Sequence, residues 1–344
     1  MSAEKKACAL LILAHNEATV IEDTVWTAKS ILMSQDALFV VADHCTDDTA
    51  NKARNAGAEV VIRNETISTS KGHALSWFVR EYSKRLDQFS YLIILDADSQ
   101  LKTDFLDHVR ENITEECEAM QCCVYPKFEQ RSPISTLSAL SELHDQYISD
   151  RIRSKLGWPV RMRGTGMILK PELLFHIDGQ LNSNVEDIAL SLILATKGIK
   201  VKRLDDAILF DPKPSTIISA ANQRARWFRG QWEAMWQYRR EIVHLFRSGL
   251  PGWSLFSSLF LKPKWLVLTT SLVLAILLSP WRWVAILFGL YFSTGVLYLF
   301  IGLCIIPERH LFFRTLIFIP LYIWMWLRSI ILSLRASSWL KARE

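Results

Sequence analysis

The last third of this chain is apolar to a degree that few soluble folds allow. Residues 284–306 carry no charged side chain, and a run of that length matches the roughly 20 residues an α-helix needs to cross a bilayer. Two more apolar stretches flank it, 265–279 and 311–334, the second interrupted by Arg314, Pro320 and Arg328. Trp265, Trp281, Trp283, Trp324, Trp326 and Trp339 mark their edges, where amphipathic indoles favour the lipid–water boundary. The reading is three transmembrane helices. Two spans plus an interfacial last segment is the alternative, because Arg328 at mid-bilayer is costly without a partner.

Up to about Tyr238 the composition is that of an ordinary soluble protein and from Trp253 it is dominated by apolar residues, so the chain divides between them. The net formal charge is a modest +5. Its basic residues bunch at Arg224, Arg226, Arg229, Arg239, Arg240, Arg247, Lys262 and Lys264, just before the apolar third. Such a cluster suits anionic lipid headgroups and a cytoplasmic face, and it gives no support to a nucleic-acid partner. The polar opening residues and the short apolar run 7–14 do not form a secretory leader. A multi-pass protein of the cell membrane (inner or plasma), with its large domain in the cytoplasm, is therefore expected. In that reducing setting Cys8, Cys45, Cys117, Cys122, Cys123 and Cys304, which make no Cys-x-x-Cys pair, read as packing residues.

Within the soluble part, runs rich in β-formers alternate with runs of helical period. Residues 8–14, 37–42, 58–62, 91–95 and 119–124 read as strands, and 19–33, 46–55, 70–85 and 103–112 as helices. That alternation predicts an α/β fold with a mostly parallel sheet covered on both faces. Ligands of such sheets bind beyond the carboxyl ends of the strands. Polar clusters fall at those ends: His15-Asn16-Glu17, Asp43-His44, Lys71-Gly72-His73 and Asp96-Ala97-Asp98. Neither a Gly-x-Gly-x-x-Gly nor a phosphate-loop motif is present, which removes the main support for dinucleotide and P-loop readings.

Asp96 and Asp98 leave a buried strand two residues apart, so both carboxylates can point to one side. A hard cation with oxygen ligands, Mn²⁺ or Mg²⁺, suits that pair, and its chemical use is to stabilise a departing diphosphate. The plain alternative is a helix cap. Further along, Glu186 and Asp187 precede a helical run; they can favour its dipole, or one can serve as general base for an attacking hydroxyl. Gln223, Arg226 and Trp227 share a helical face. Arg226 offers fork donors for a diphosphate and Trp227 a flat wall for a sugar; an interfacial helix is the bland reading, and both can hold.

Together these residues resemble the membrane-attached inverting enzymes of glycosyltransferase family 2, which include cellulose, hyaluronan and poly-N-acetylglucosamine synthases. The resemblance implies a GT-A nucleotide-sugar-binding domain over 1–213, amphipathic interface helices carrying Gln-x-x-Arg-Trp over 214–262, and about three transmembrane helices within 263–344. It implies that Asn16, Glu17, Asp43, Lys71, Asp96, Gln223 and Arg226 bind the nucleotide sugar, with Asp98, assisted by Asp96, on the metal. Asp187 is then the general base. Trp227, Gly164, Thr165 and Glu186 are expected at the acceptor. The implied partners are a UDP-linked donor, a glycan or lipid-linked acceptor and membrane lipids. Two departures stand out: His44 follows Asp43 where Gly is usual, and Val185 replaces Thr before Glu186-Asp187. No membrane helices precede the domain here, so polymer elongation and transfer of a single sugar both stay open. A catalytically silent nucleotide-sugar-binding subunit is the alternative from another functional class.

Overall fold

The computed structural model describes residues 6–65, 70–128, 131–177, 180, 181, 183, 185–261, 264–306 and 309–335. They fall into two compact units that share the chain in alternating segments. The first takes Met1–Lys127, Arg153–Pro212 and Glu233–Gly252; the second takes Phe128–Ile152, Lys213–Trp232 and Trp253–Glu344.

The strands are β1 (Cys8–Ala14), β2 (Ala37–Asp43), β3 (Glu59–Arg63), β4 (Tyr91–Asp96), β5 (Gln100–Leu101), β6 (Ala119–Lys127), β7 (Met167–Leu169) and β8 (Val201–Pro212). They form one sheet of order β3-β2-β1-β4-β7-β6-β8-β5 in the first unit. The helices up to the second half of the chain are α1 (Ile21–Ser30), α2 (Thr49–Asn55), α3 (Lys71–Glu81), α4 (Ser83–Leu86), α5 (Phe105–Glu111), α6 (Pro133–His144), α7 (Arg151–Lys155) and α8 (Pro171–Ile177). After them come α9 (Glu186–Thr196), α10 (Ile217–Gln237), α11 (Arg239–Arg247), α12 (Leu250–Phe260), α13 (Lys264–Leu277), α14 (Arg282–Ile305), α15 (Arg309–Phe313) and α16 (Ile319–Arg335).

The central strands explain themselves. All seven residues of β1 are buried, as are the first five of β4, the continuous apolar signature of strands covered on both faces. Leu10, Ile12, Ile93 and Leu95 belong to the core that Ile21 and Val25 of α1 and Phe105 and Val109 of α5 complete. On the β2 side, Phe39 meets Phe78 of α3 at 5.3 Å between ring centres.

The sheet is mostly parallel as expected, with β6 and β8 also paired in parallel, but it is mixed. β1, β2, β3 and β4 are mutually parallel, but β7 runs antiparallel to both β4 and β6, and β5 antiparallel to β8. Parallel pairing is imposed by a helix that crosses back over the sheet. Much of the chain between β6 and β7 belongs instead to the second unit, so β7 is free of that constraint. The reversal of strand order between β1 and β4 creates the crevice where such sheets hold ligands.

In the second unit α6 opens with a reciprocal cap between Ser132 and Ser135 and with Pro133 in its first turn. Ile134, Leu137, Leu140 and Leu143 bury it around most of its circumference, as befits a helix enclosed by others. It continues into a π-helix, Asp145–Asp150. α14 buries only Leu299, Gly302 and Leu303. A Cβ on Gly302 would lie 2.0 Å from ring atoms of His144, so α14 can rest on the end of α6 only because that position has no side chain. Two helical stretches, Arg282–Ile305 and Leu316–Leu334, are long and apolar enough to cross a membrane. A third span arises only if Leu250–Phe260 and Lys264–Leu277, bent by 104° from one another, count as one.

Candidate functional site

The carboxyl ends of β1, β2 and β4 place the expected polar clusters on one edge of the first unit's sheet. After β1 the backbone turns at Asn16, whose φ of 56° is left-handed, a conformation asparagine tolerates better than most residues. Asn16 Oδ1 accepts the Thr46 N–H at 2.8 Å, and the Glu17 N–H donates to Thr49 Oγ1 at 2.8 Å. The two loops are thereby stitched together. Asp43, at the end of β2, is 5% exposed, and one of its oxygens accepts Arg63 Nη1 at 2.7 Å and the His44 ring at 2.7 Å. His44 itself holds a φ of 50°, which accounts for glycine being the easier residue there.

The second group lies around the end of β4. Oxygens of Asp96, Asp98 and Asp211 all lie within 4.8 Å of one another. Three half-buried carboxylates at that spacing form the all-oxygen set that hard divalent cations prefer. Asp211 comes from the end of β8 and was not expected from the sequence. The signal was Asp211-Pro212-Lys213-Pro214, a strand terminus on the ligand-bearing edge, but the charged residues of β8 had hidden the strand.

Lys71 stands at the start of α3, directly after the capping Ser70. Its ammonium donates to Asp96 Oδ1 at 2.5 Å and to the Gly164 carbonyl at 2.5 Å, and it pairs with Glu186 Oε1 at 3.0 Å. Burial alone would disfavour its charge, yet Asp96 and Glu186 together hold its pKa above the ordinary lysine range. Glu186 opens α9; burial pushes its carboxyl up to about 7, against the pull of Lys71. Asp187, next along the helix, is half-buried and accepts the Ile188 N–H at 2.8 Å. Asn184 lies outside the described residues.

The loop before β7 completes this edge. Gly164 and Gly166 have φ of 80° and 64°. A Cβ on Gly166 would also fall 1.9 Å from Cys122 Sγ. Between them Thr165 is buried, and its hydroxyl accepts the Asp96 N–H at 3.1 Å and meets Ser99 Oγ at 2.8 Å. The acidic turn after β4 is therefore braced from behind.

Of the residues singled out from the sequence, Lys71, Asp96, Asp98, Gly164, Thr165, Glu186 and Asp187 gather at this end of β4, with Asn16, Glu17 and Asp43 at the ends of β1 and β2. Gln223, Arg226 and Trp227 lie on the part of α10 that belongs to the second unit. There Trp227 is 46% exposed. Arg224, counted from the sequence among the residues suited to lipid headgroups, is instead buried and donates to Ser138 Oγ at 2.6 Å. The Arg224 guanidinium also stacks against the rings of Trp227, Tyr322 and Trp326 at 5.6, 5.8 and 4.9 Å.

Comparison with known proteins adds three findings. Residues 91–334, more than half of the chain, match the family described as "Glycosyl transferase family group 2". The poly-beta-1,6-N-acetyl-D-glucosamine synthase of Staphylococcus aureus is 22% identical over 244 residues, which take in 67% of this chain and 56% of the relative. The chain thus spans little more than half the length of that relative. Among solved structures, a mannosyltransferase from Pyrobaculum calidifontis in complex with GDP-Man and Mn²⁺ is 16% identical with a TM-score of 0.49, covering 87% of this chain and 86% of that one. The glucosyl-3-phosphoglycerate synthase of Mycobacterium tuberculosis is 16% identical with a TM-score of 0.44, covering 70% and 79%.

Proposed function

The chain belongs to glycosyl transferase family group 2, and on that premise we propose a membrane-bound inverting transferase that moves a sugar from a UDP-linked donor to a glycan or lipid-linked acceptor. The observation that carries the reading is the convergence of Asp96, Asp98 and Asp211 on one point, with the base-bearing start of α9 tied to the same Asp96 through Lys71. The three carboxylates would hold Mn²⁺ or Mg²⁺, which when bound supplies Lewis-acid stabilisation for the diphosphate as it departs.

The chain's own residues do the rest. Asp43, fixed by Arg63 and His44, presents its remaining oxygen to the nucleobase, and Asn16 and Glu17 line the same loop edge. Asp187 takes the proton of the acceptor hydroxyl as that oxygen attacks the anomeric carbon from the face opposite the diphosphate. One displacement inverts the configuration. Gln223 and Arg226 serve the diphosphate, and Trp227 offers its exposed face to the acceptor sugar, on the segment we assign to the membrane interface. The two long apolar stretches anchor the protein, with the first unit in the cytoplasm. Similarity to a poly-N-acetylglucosamine synthase makes UDP-N-acetylglucosamine the first donor to try.

Detergent-purified protein with Mn²⁺ and a panel of nucleotide sugars provides the test. Asp187→Asn should lower turnover by roughly 10²–10⁴, the usual size of a general-base contribution, while nucleotide affinity stays within about threefold. Unchanged turnover would remove Asp187 from the mechanism. A long product ladder identifies a polymer synthase and one added sugar a single-transfer enzyme; donor binding without turnover on any acceptor identifies a silent subunit.

A further inference from the structure

Lys71 has three protons to give, and all three are spent inside the protein. An ammonium offers three donors and no more; here Asp96, the Gly164 carbonyl and Glu186 accept them. The Glu186 side chain is only 7% exposed, and a buried carboxylate stripped of its cation is strongly destabilising. Gly164 reaches Lys71 through a left-handed backbone, φ 80°, so that acceptor too is built into the loop.

The next residue makes the same connection by other means. A Cβ on Gly72 would sit 2.3 Å from the Leu181 carbonyl oxygen and 2.4 Å from that of Ser183. The segment leading into α9 thus lies directly against the start of α3, where only glycine leaves room for it. Ser70 adds a hydrogen bond to the Ser183 carbonyl at 3.3 Å. Three consecutive residues, Ser70, Lys71 and Gly72, therefore grip the lead-in and first residue of the helix that carries Asp187.

We propose that Lys71 is a positioning residue, a strut that sets the start of α9 and hence Asp187 against the acidic cluster, and not a contact to the donor's diphosphate. The proposal rests on the transferase reading of the site and replaces the nucleotide-binding role expected of Lys71 from family resemblance. It makes the ammonium a competitor of the cation for Asp96. Glu186 moderates that competition by holding the other side of the same charge.

The test uses the full chain in detergent and two probes: Mn²⁺ alone, followed by its electron paramagnetic resonance signal, and UDP with saturating Mn²⁺, followed by calorimetry. Lys71→Met should tighten Mn²⁺ binding by about threefold or more, since a positive neighbour leaves the site, and change UDP affinity by less than about threefold. Glu186→Gln, which keeps the side-chain volume, should weaken Mn²⁺ binding by a similar factor because Asp96 is then the one carboxylate left paired with Lys71. It carries the test by itself should Lys71→Met not fold. A tenfold or greater loss of UDP affinity in Lys71→Met with Mn²⁺ binding unchanged would overturn the strut in favour of a diphosphate contact. Mn²⁺ affinity indifferent to Glu186→Gln would also overturn it. Both results leave the transferase reading intact, whereas an unsubstituted protein that binds neither probe would sink the two together.

Discussion

Asp211 shows how much one side chain can add to a short motif. Two carboxylates two residues apart hold a cation loosely; a third from another strand fixes its position and raises the local negative charge. Asp211→Asn is expected to weaken Mn²⁺ binding roughly tenfold, with the circular dichroism spectrum unchanged; full affinity in the variant would exclude Asp211 from the ligand set. His144 gives a prediction of another kind. Its burial, with Lys264 nearby, lowers the imidazole pKa to about 4 from 6.5. Between those values the unfolded chain binds more protons than the folded one, so this contribution is intact above pH 6.5 and is lost as pH falls toward 4. At most it amounts to roughly 3 kcal/mol. The unfolding midpoint should therefore drop between pH 6.5 and 4, and less steeply in His144→Gln; parallel pH profiles would show that His144 is not responsible.

At the scale of elements, legibility followed the physics of each strand. β1 and β4 were plain in the sequence because burial on both faces leaves a continuous apolar run. β8 was not, because it carries Lys202, Arg203, Asp205 and Asp206 and its pairing with β6 slips in register between Gln121 and Cys123, which destroys the alternation a reader looks for. Asp211 was lost with it. The antiparallel direction of β7 leaves no trace in its three residues, and the π-helix after α6 has no compositional mark. Asp96 and Asp98 could be read from the sequence alone, but the Arg63 that anchors Asp43 could not, because β3 gives no hint of which neighbour it serves. Helix contacts depend on equally small features. Gly302→Leu would drive a side chain into the His144 ring, and a loss of roughly 1–3 kcal/mol is expected from such overpacking. A thermal midpoint equal to that of the unsubstituted protein would mean α14 does not rest on α6 as described.

For the molecule as a whole, the apolar C-terminal helices are not a detachable anchor. The second unit includes α6, which lies between strands of the sheet in sequence, and α6 packs on α14, α15 and α16. A chain ending at Gly252 would leave Ile134, Leu137, Leu140 and Leu143 without those partners. We expect it to aggregate rather than yield a soluble domain; a monodisperse, nucleotide-binding product of that length would contradict this.

Arg224 extends the same dependence into biogenesis. Its guanidinium stacks on Tyr322 and Trp326, which are translated roughly a hundred residues later. Since the chain emerges from the ribosome N-terminus first, the helix bearing Gln223, Arg226 and Trp227 reaches its final packing only when α16 has been released to it. Final packing of this helix thus waits on the synthesis of a segment about a hundred residues downstream, and a nascent chain stalled before Trp326 would carry the motif without its aromatic seat.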